Sequence, residues 1–168
     1  MRAILTLLLL GSQIHPQRVP LEKVVQRSGL VVLAEADKVS VSEEKLPLDP
    51  GKTDLGTLPA FVRVRRRYVV KEVLFDDGRS GAVRVGHTLE VDDPNWALNR
   101  AMSHASQTNG VMPSLSIQML QNECFPDKAT TPALLFLRRV GADLQLTIHG
   151  AWEKPASRKQ VEAALNRP

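Results

Sequence analysis

Residues 61–75 read FVRVRRRYVVKEVLF. Valine, tyrosine and phenylalanine alternate here with charged residues, and such side chains pack well on a pleated surface. The stretch predicts a long β-strand. Side chains of a strand point alternately to its two faces, so Val62, Val64, Tyr68 and Val70 share one face while Arg63, Arg65 and Arg67 share the other. Arg66 falls on the apolar face, the mark of a bulge or of a strand end that reaches solvent. Four arginines in positions 63–67 raise two readings: a nucleic-acid-binding strand, or the solvated face of an ordinary sheet.

Working outward, Leu30–Val41 is a second β-rich run, preceded by a short helix over 19–29 that has Pro20 in its first turn and Gly29 at its end. Residues 43–59 carry Pro47, Pro50, Gly51, Gly56 and Pro59 and predict a flexible connector. After the 61–75 strand, Asp76-Asp77-Gly78 makes a turn and AVRVGHTLEV (82–91) alternates as a third strand. Asp92-Asp93-Pro94 caps a helix running through Trp96, Leu98, Met102 and Ala105 until Thr108-Asn109-Gly110 stops it. Residues 111–132 fit helix or strand. ALLFLRRV (133–140) and LQLTIHGAW (144–152) form a hairpin about Gly141. Ser157 and Gln160 make a capping box for a last helix with Val161, Ala164 and Leu165 on its apolar side.

Three strands, a helical insertion over 92–132, two more strands and a C-terminal helix is the order of a five-stranded OB-fold-like Greek-key barrel. We therefore expect a mainly β protein of that architecture. A β-sandwich or an α+β sheet is the competing arrangement.

At 168 residues, with 43% hydrophobic and 24% charged residues, the chain suits one globular domain with its own core. Its formal net charge of +4 favours acidic partners or surfaces but is too small to imply nucleic acid. The start, MRAILTLLLLGSQIHPQ, has one basic residue, an apolar run from Ala3 to Leu10, then Gly11 and Ser12. That is the layout of a secretory signal peptide over 1–12, although Leu10 sits where cleavage prefers a small residue; a buried first strand or helix is the alternative. The run is too short to span a bilayer. We expect an exported bacterial protein, periplasmic or secreted, with a single domain over 19–168. Cys124 is the one cysteine, so no internal disulfide can form.

The runs SGLVVLAEADKV, RRRYVVKEVLFDDG, VGHTLEV and PALLFLRRVGADLQLTIHGAWE together resemble bacterial exported domains related to the netrin-like module, which tissue inhibitors of metalloproteinases also carry. The resemblance spans roughly 20–155 apart from the central insertion, and it implies an OB-type barrel and export. Those inhibitors chelate a protease's zinc through an amino-terminal, disulfide-bonded cysteine. This chain has no cysteine near its start, so that activity is not carried over.

Catalytic chemistry finds little support in the sequence. Cys124 paired with His87, His104 or His149 is the one nucleophile–base combination, and no local signature surrounds it. The three histidines have no metal-ligand spacing, although His87 and His149 could face one side of the barrel. No phosphate loop, GxSxG elbow or HExxH helix is present. We expect no enzyme activity, no cofactor and no metal.

The expected function is a binding module for a protein, a peptide or an acidic surface component. Its contacts would come from Arg63, Arg65, Arg66, Arg67 and Tyr68 on the strand and from Trp96, Met102 and Met112 in the insertion, because long connections in compact domains tend to be functional. Alternatively, Trp96, Met102, Met112, Met119 and Phe125 plug the open end of the barrel. Two other functions compete: an immunity or inhibitor protein that blocks a secreted enzyme or toxin, and a single-strand nucleic-acid binder. The last lacks the aromatic platforms that such grooves add to their positive charge.

Overall fold

The strand read from residues 61–75 runs over Ala60–Asp76 and pairs antiparallel with the equally long Leu30–Pro47. These two belong to a mainly β protein whose computed structural model describes residues 14–48, 58–79, 81–108 and 115–167. The expected signal peptide at 1–12 and Met112 lie outside the described residues. In chain order the elements are β1 (Ile14–Arg18), α1 (Leu21–Gln26), β2 (Leu30–Pro47), β3 (Ala60–Asp76), β4 (Thr88–Asp92), α2 (Trp96–Gln107), β5 (Leu115–Met119), β6 (Ala133–Val140), β7 (Asp143–Leu146), β8 (Trp152–Glu153), a 3-10 turn (Pro155–Ser157) and α3 (Arg158–Leu165). None of the described helices is long and apolar enough to cross a membrane.

Strand pairing runs in a circuit. β2 pairs with β3, β3 with β4, β4 with β7, β7 with β6, and β6 returns to β2. Every contact in the circuit is antiparallel except β4–β7, which is parallel. β8 adds to β6 through Leu134 and Leu135. Residues 133–137 of β6 are all buried, which one face of a strand cannot achieve. The sheet's interior covers one side; Val24 and Val25 of α1 and Val161 and Ala164 of α3 join the same apolar cluster from outside. That is why ALLFL is apolar throughout rather than alternating.

Several expectations are corrected. The connector expected over 43–59 begins later, because Glu43–Pro47 still pair with Ala60–Val64. The third strand is shorter than 82–91: residues 84–87 turn, with Gly86 at φ +86 and Val85 open to water. Of the two readings open for 111–132, Leu115–Met119 is the strand, β5, and it pairs in parallel with β1, a strand the sequence did not suggest. The 144–152 hairpin strand stops at Leu146; the chain then crosses the 120–121 backbone before β8 returns to β6. Ser157 makes no capping box, because its hydroxyl donates to Glu153 and a 3-10 turn leads into α3.

Candidate functional site

The arginines of β3 do not form one solvated face. Arg63 is 6% exposed, whereas its neighbour Val62 is 39% exposed. Further along, Tyr68 and Val70 are buried, so the buried parity of the strand switches between Arg63 and Tyr68. The switch sits beside a break in the partner strand: Ala36 pairs with Tyr68 and Val41 with Arg66, so residues 37–40 of β2 bulge opposite Arg67 alone. The bulge expected from Arg66 exists, but on β2. On the β4 side the register is unbroken from Arg65–Asp92 to Val69–Thr88.

Three arginines on one face meet five carboxylates. Arg63 Nε donates to Asp92 Oδ2 at 2.8 Å, its Nη2 to Asp92 and to Asp143 Oδ2 at 2.9 Å, and its Nη1 lies 3.6 Å from Glu44. Arg65 donates to Glu44 at 3.2 Å and to Asp143 at 3.4 Å. Arg67 Nε lies 3.8 Å from Asp37 and 3.7 Å from Glu90, without a hydrogen bond. Trp96, the first residue of α2, stacks 4.1 Å from the Arg63 guanidinium, a cation–π contact that covers the charge. Burial opposes the Arg63 charge, but the hydrogen bonds to Asp92 and Asp143 outweigh it and hold the group protonated. The Arg63 hydrogen bond holds Asp143 below the usual carboxylate range, while burial pushes Asp92 up despite Arg63. This face is an internal ion-pair network, not a positive groove.

Arg66 is different. It is exposed and makes no hydrogen bond or ion pair with any described residue. With Arg67 and Tyr68 it lines a cleft of about 390 Å³ whose far wall is Pro126, Asp127, Lys128 and Ala129 and whose floor includes Ala36. The Lys128 ammonium likewise has no partner among the described residues. The Tyr68 hydroxyl donates to the Pro126 carbonyl at 3.0 Å, fastening the two walls together. Asp127 is engaged within its own turn by Thr130. The cleft thus combines the apolar Ala36, Pro126 and Ala129 with the charged Arg66, Arg67, Asp127 and Lys128, of which Arg66 and Lys128 have no ion-pair partner among the described residues.

A second constellation forms where the insertion meets the barrel. Ligand atoms of Asp93, Cys124 and His149 lie within 4.8 Å of one another, each residue half-buried. Asp93 follows β4; its Oδ1 accepts from the Asn95 amide at 2.8 Å and its Oδ2 from Asn99 Nδ2 at 3.2 Å. It starts the helix as an Asx turn rather than as the cap, which is Asn95. Asp92 is no cap either, being buried against Arg63. His149 Nε2 lies 3.0 Å from the Asn122 carbonyl. Burial pushes the Cys124 thiol up, and the nearby Asp93 charge adds to it against a backbone hydrogen bond from Gly150. A nucleophilic cysteine needs the opposite shift.

The structure therefore brings Arg63, Arg65 and Trp96 into one group and Arg66, Arg67 and Tyr68 into another. Met102 stands half-buried on α2 and lines neither the Arg66 cleft nor the cysteine cluster. Phe125 and Cys124 are partly buried and pack against the core. His87 and His149 do not share a site: His87 accepts from the Arg84 amide in the turn before β4. Sequence reasoning missed Asp92, Asp143 and Glu44 as the arginines' partners, Lys128 entirely, and Asp93 as anything but a helix cap. Only the Asp-Asp pair at 92–93 was a signal, and it was absorbed by the capping argument. No family model, curated protein or solved structure matches this chain.

Proposed function

We propose that this chain is an exported, non-enzymatic binding module on an OB-type barrel, related to the netrin-like domains, and that it receives an acidic protein or peptide partner in the Arg66–Lys128 cleft. The barrel reading is supported by the β2-β3-β4-β7-β6 circuit, its one parallel contact between β4 and β7, and α2 between the third and fourth strands of the ring. The observation that carries the function is Arg66. Its three arginine neighbours are matched by carboxylates of the chain itself, whereas Arg66 and Lys128 line a cleft and have no ion-pair partner among the described residues, the one carboxylate in that cleft, Asp127, being hydrogen-bonded within its own turn by Thr130. Unpaired basic groups beside a cleft complement an acidic partner and steer its approach. The single-strand reading loses its main support, because the three guanidiniums on the β3 face are met by five carboxylates contributed by β2, β4 and β7 and are not free for phosphates.

The test is fluorescence anisotropy with a labelled oligoglutamate peptide, beside labelled poly-dT, at low and moderate salt. The peptide is expected to bind, with affinity falling as salt rises, and Arg66→Glu with Lys128→Glu is expected to abolish binding while leaving the circular-dichroism spectrum unchanged. Peptide binding that survives both charge reversals, or preferential binding of poly-dT, overturns the reading.

A further inference from the structure

We propose that Asp93, Cys124 and His149 form a binding site for one divalent transition-metal ion, zinc by its donor set. The three ligand atoms already lie within 4.8 Å of one another. Bonds of about 2.3 Å to sulfur and 2.0–2.2 Å to nitrogen and oxygen place tetrahedral zinc ligands about 3.3–3.6 Å apart, so small rotations about the side-chain bonds complete the geometry. A thiolate and an imidazole select zinc and its neighbours over calcium and magnesium, which want oxygen alone.

The surroundings match what metal ligands need. His149 Nε2 faces the Asn122 carbonyl at 3.0 Å; a carbonyl only accepts, so Nε2 carries the proton and Nδ1 is left to coordinate. Fixing a ligand histidine through its other ring nitrogen to a backbone carbonyl is the usual supporting contact. Asp93 is held through both oxygens by Asn95 and Asn99. The neighbourhood is also built to hold position. The Leu120 and Gln121 amides donate to the His149 and Gly150 carbonyls at 3.0 and 3.2 Å, so the segments bearing Cys124 and His149 are locked together. A cleft of about 320 Å³ is lined by His149 and by Pro94 and Asn95, the residues that follow Asp93, and the half-burial of all three ligands suits a site with water in the fourth position. On binding, the Cys124 Sγ–H proton passes to solvent as the Sγ–metal bond forms.

Asp93 opens the insertion, Cys124 lies near its end, and His149 sits on the barrel between β7 and β8. The ion therefore ties both ends of the insertion to the barrel, in a chain whose single cysteine allows no disulfide to do so. This role is separate from partner binding at Arg66 and Lys128, and either can fail without the other.

Cobalt(II) titration of the full-length, reduced chain tests the site. One equivalent is expected to produce the near-ultraviolet thiolate-to-cobalt charge-transfer band, and zinc is expected to displace it. Cys124→Ser is expected to abolish the band, His149→Gln and Asp93→Asn each to weaken affinity by more than the roughly 10–100-fold that loss of an outer-shell partner costs, and His87→Gln to leave it unchanged. In the wild-type chain, which avoids any folding defect of a variant, zinc is expected to slow alkylation of Cys124 by iodoacetamide and excess chelator to restore it. No charge-transfer band with the folded wild-type chain, no protection of the thiol, or a band indifferent to both His149→Gln and Asp93→Asn overturns the proposal.

Discussion

Arg63 shows how much a single side chain can depend on its partners. Its side chain is 7% exposed; the guanidinium hydrogen-bonds the carboxylate of Asp92, which is wholly buried, and is covered by Trp96. Removing one member of a buried pair strands the other charge in a low-dielectric setting, at a cost of about 3–5 kcal/mol. Arg63→Ala is therefore expected to lower the unfolding free energy by that amount in urea titrations. Arg63→Met with Asp92→Leu together is expected to recover most of the loss, because no charge is then left unpaired. Two single variants whose losses add fully in the double would show that the residues act independently. Arg66, two positions before the buried Tyr68, is exposed and has no such partner among the described residues, and Arg66→Ala is expected to change stability by no more than about 0.5 kcal/mol.

Among the elements, the crossing of residues 120–121 over 149–150 decides where the chain's chemistry sits. Gly150 takes φ +63, and a Cβ there would lie 2.5 Å from the Gln121 carbonyl oxygen. Both strain and backbone collision oppose any side chain. Gly150→Ala is expected to destabilise the fold by about 1–3 kcal/mol and to increase the reactivity of Cys124 toward a thiol reagent, since the segments bearing Cys124 and His149 separate. Unchanged stability in thermal unfolding together with an unreactive thiol would refute this account. Gly86, also at positive φ but with open space around its Cβ position, is the internal comparison: its replacement by Asn, which tolerates that conformation, is expected to be mild. The long pair β2–β3 differs again, since its bulge at 37–40 absorbs the parity change along β3.

For the whole molecule, pH acts through the carboxylates that the arginine network holds. The Arg63 hydrogen bond keeps Asp143 below its usual value. A carboxyl with a depressed folded-state pKa stabilises the protein above its unfolded value of about 3.9, and that contribution disappears as pH falls through the lower folded value. Wild type is therefore expected to exceed Asp143→Asn by no more than about 1 kcal/mol near neutral pH, Asp143 being partly exposed. The gap is expected to close below about pH 4, and urea titrations at stepped pH measure it; a gap that widens on acidification would contradict the assignment. Much of the architecture is legible in the chain itself. The helix at Leu21–Gln26, the strands around Val31, Val64 and Leu135, the helix from Trp96 and the turn at Gly141 all follow from local periodicity and turn chemistry, which act over a few residues. What the sequence alone could not determine is which residues meet across the circuit. Arg63 finds Asp92 and Asp143, Arg66 comes to share a cleft with Lys128, and Asp93, Cys124 and His149 converge, because strand pairing, a bulge on a neighbouring strand and a backbone crossing bring distant segments together. Alternation assigns a side chain to a face of its own strand; only the closed sheet decides which face is inside.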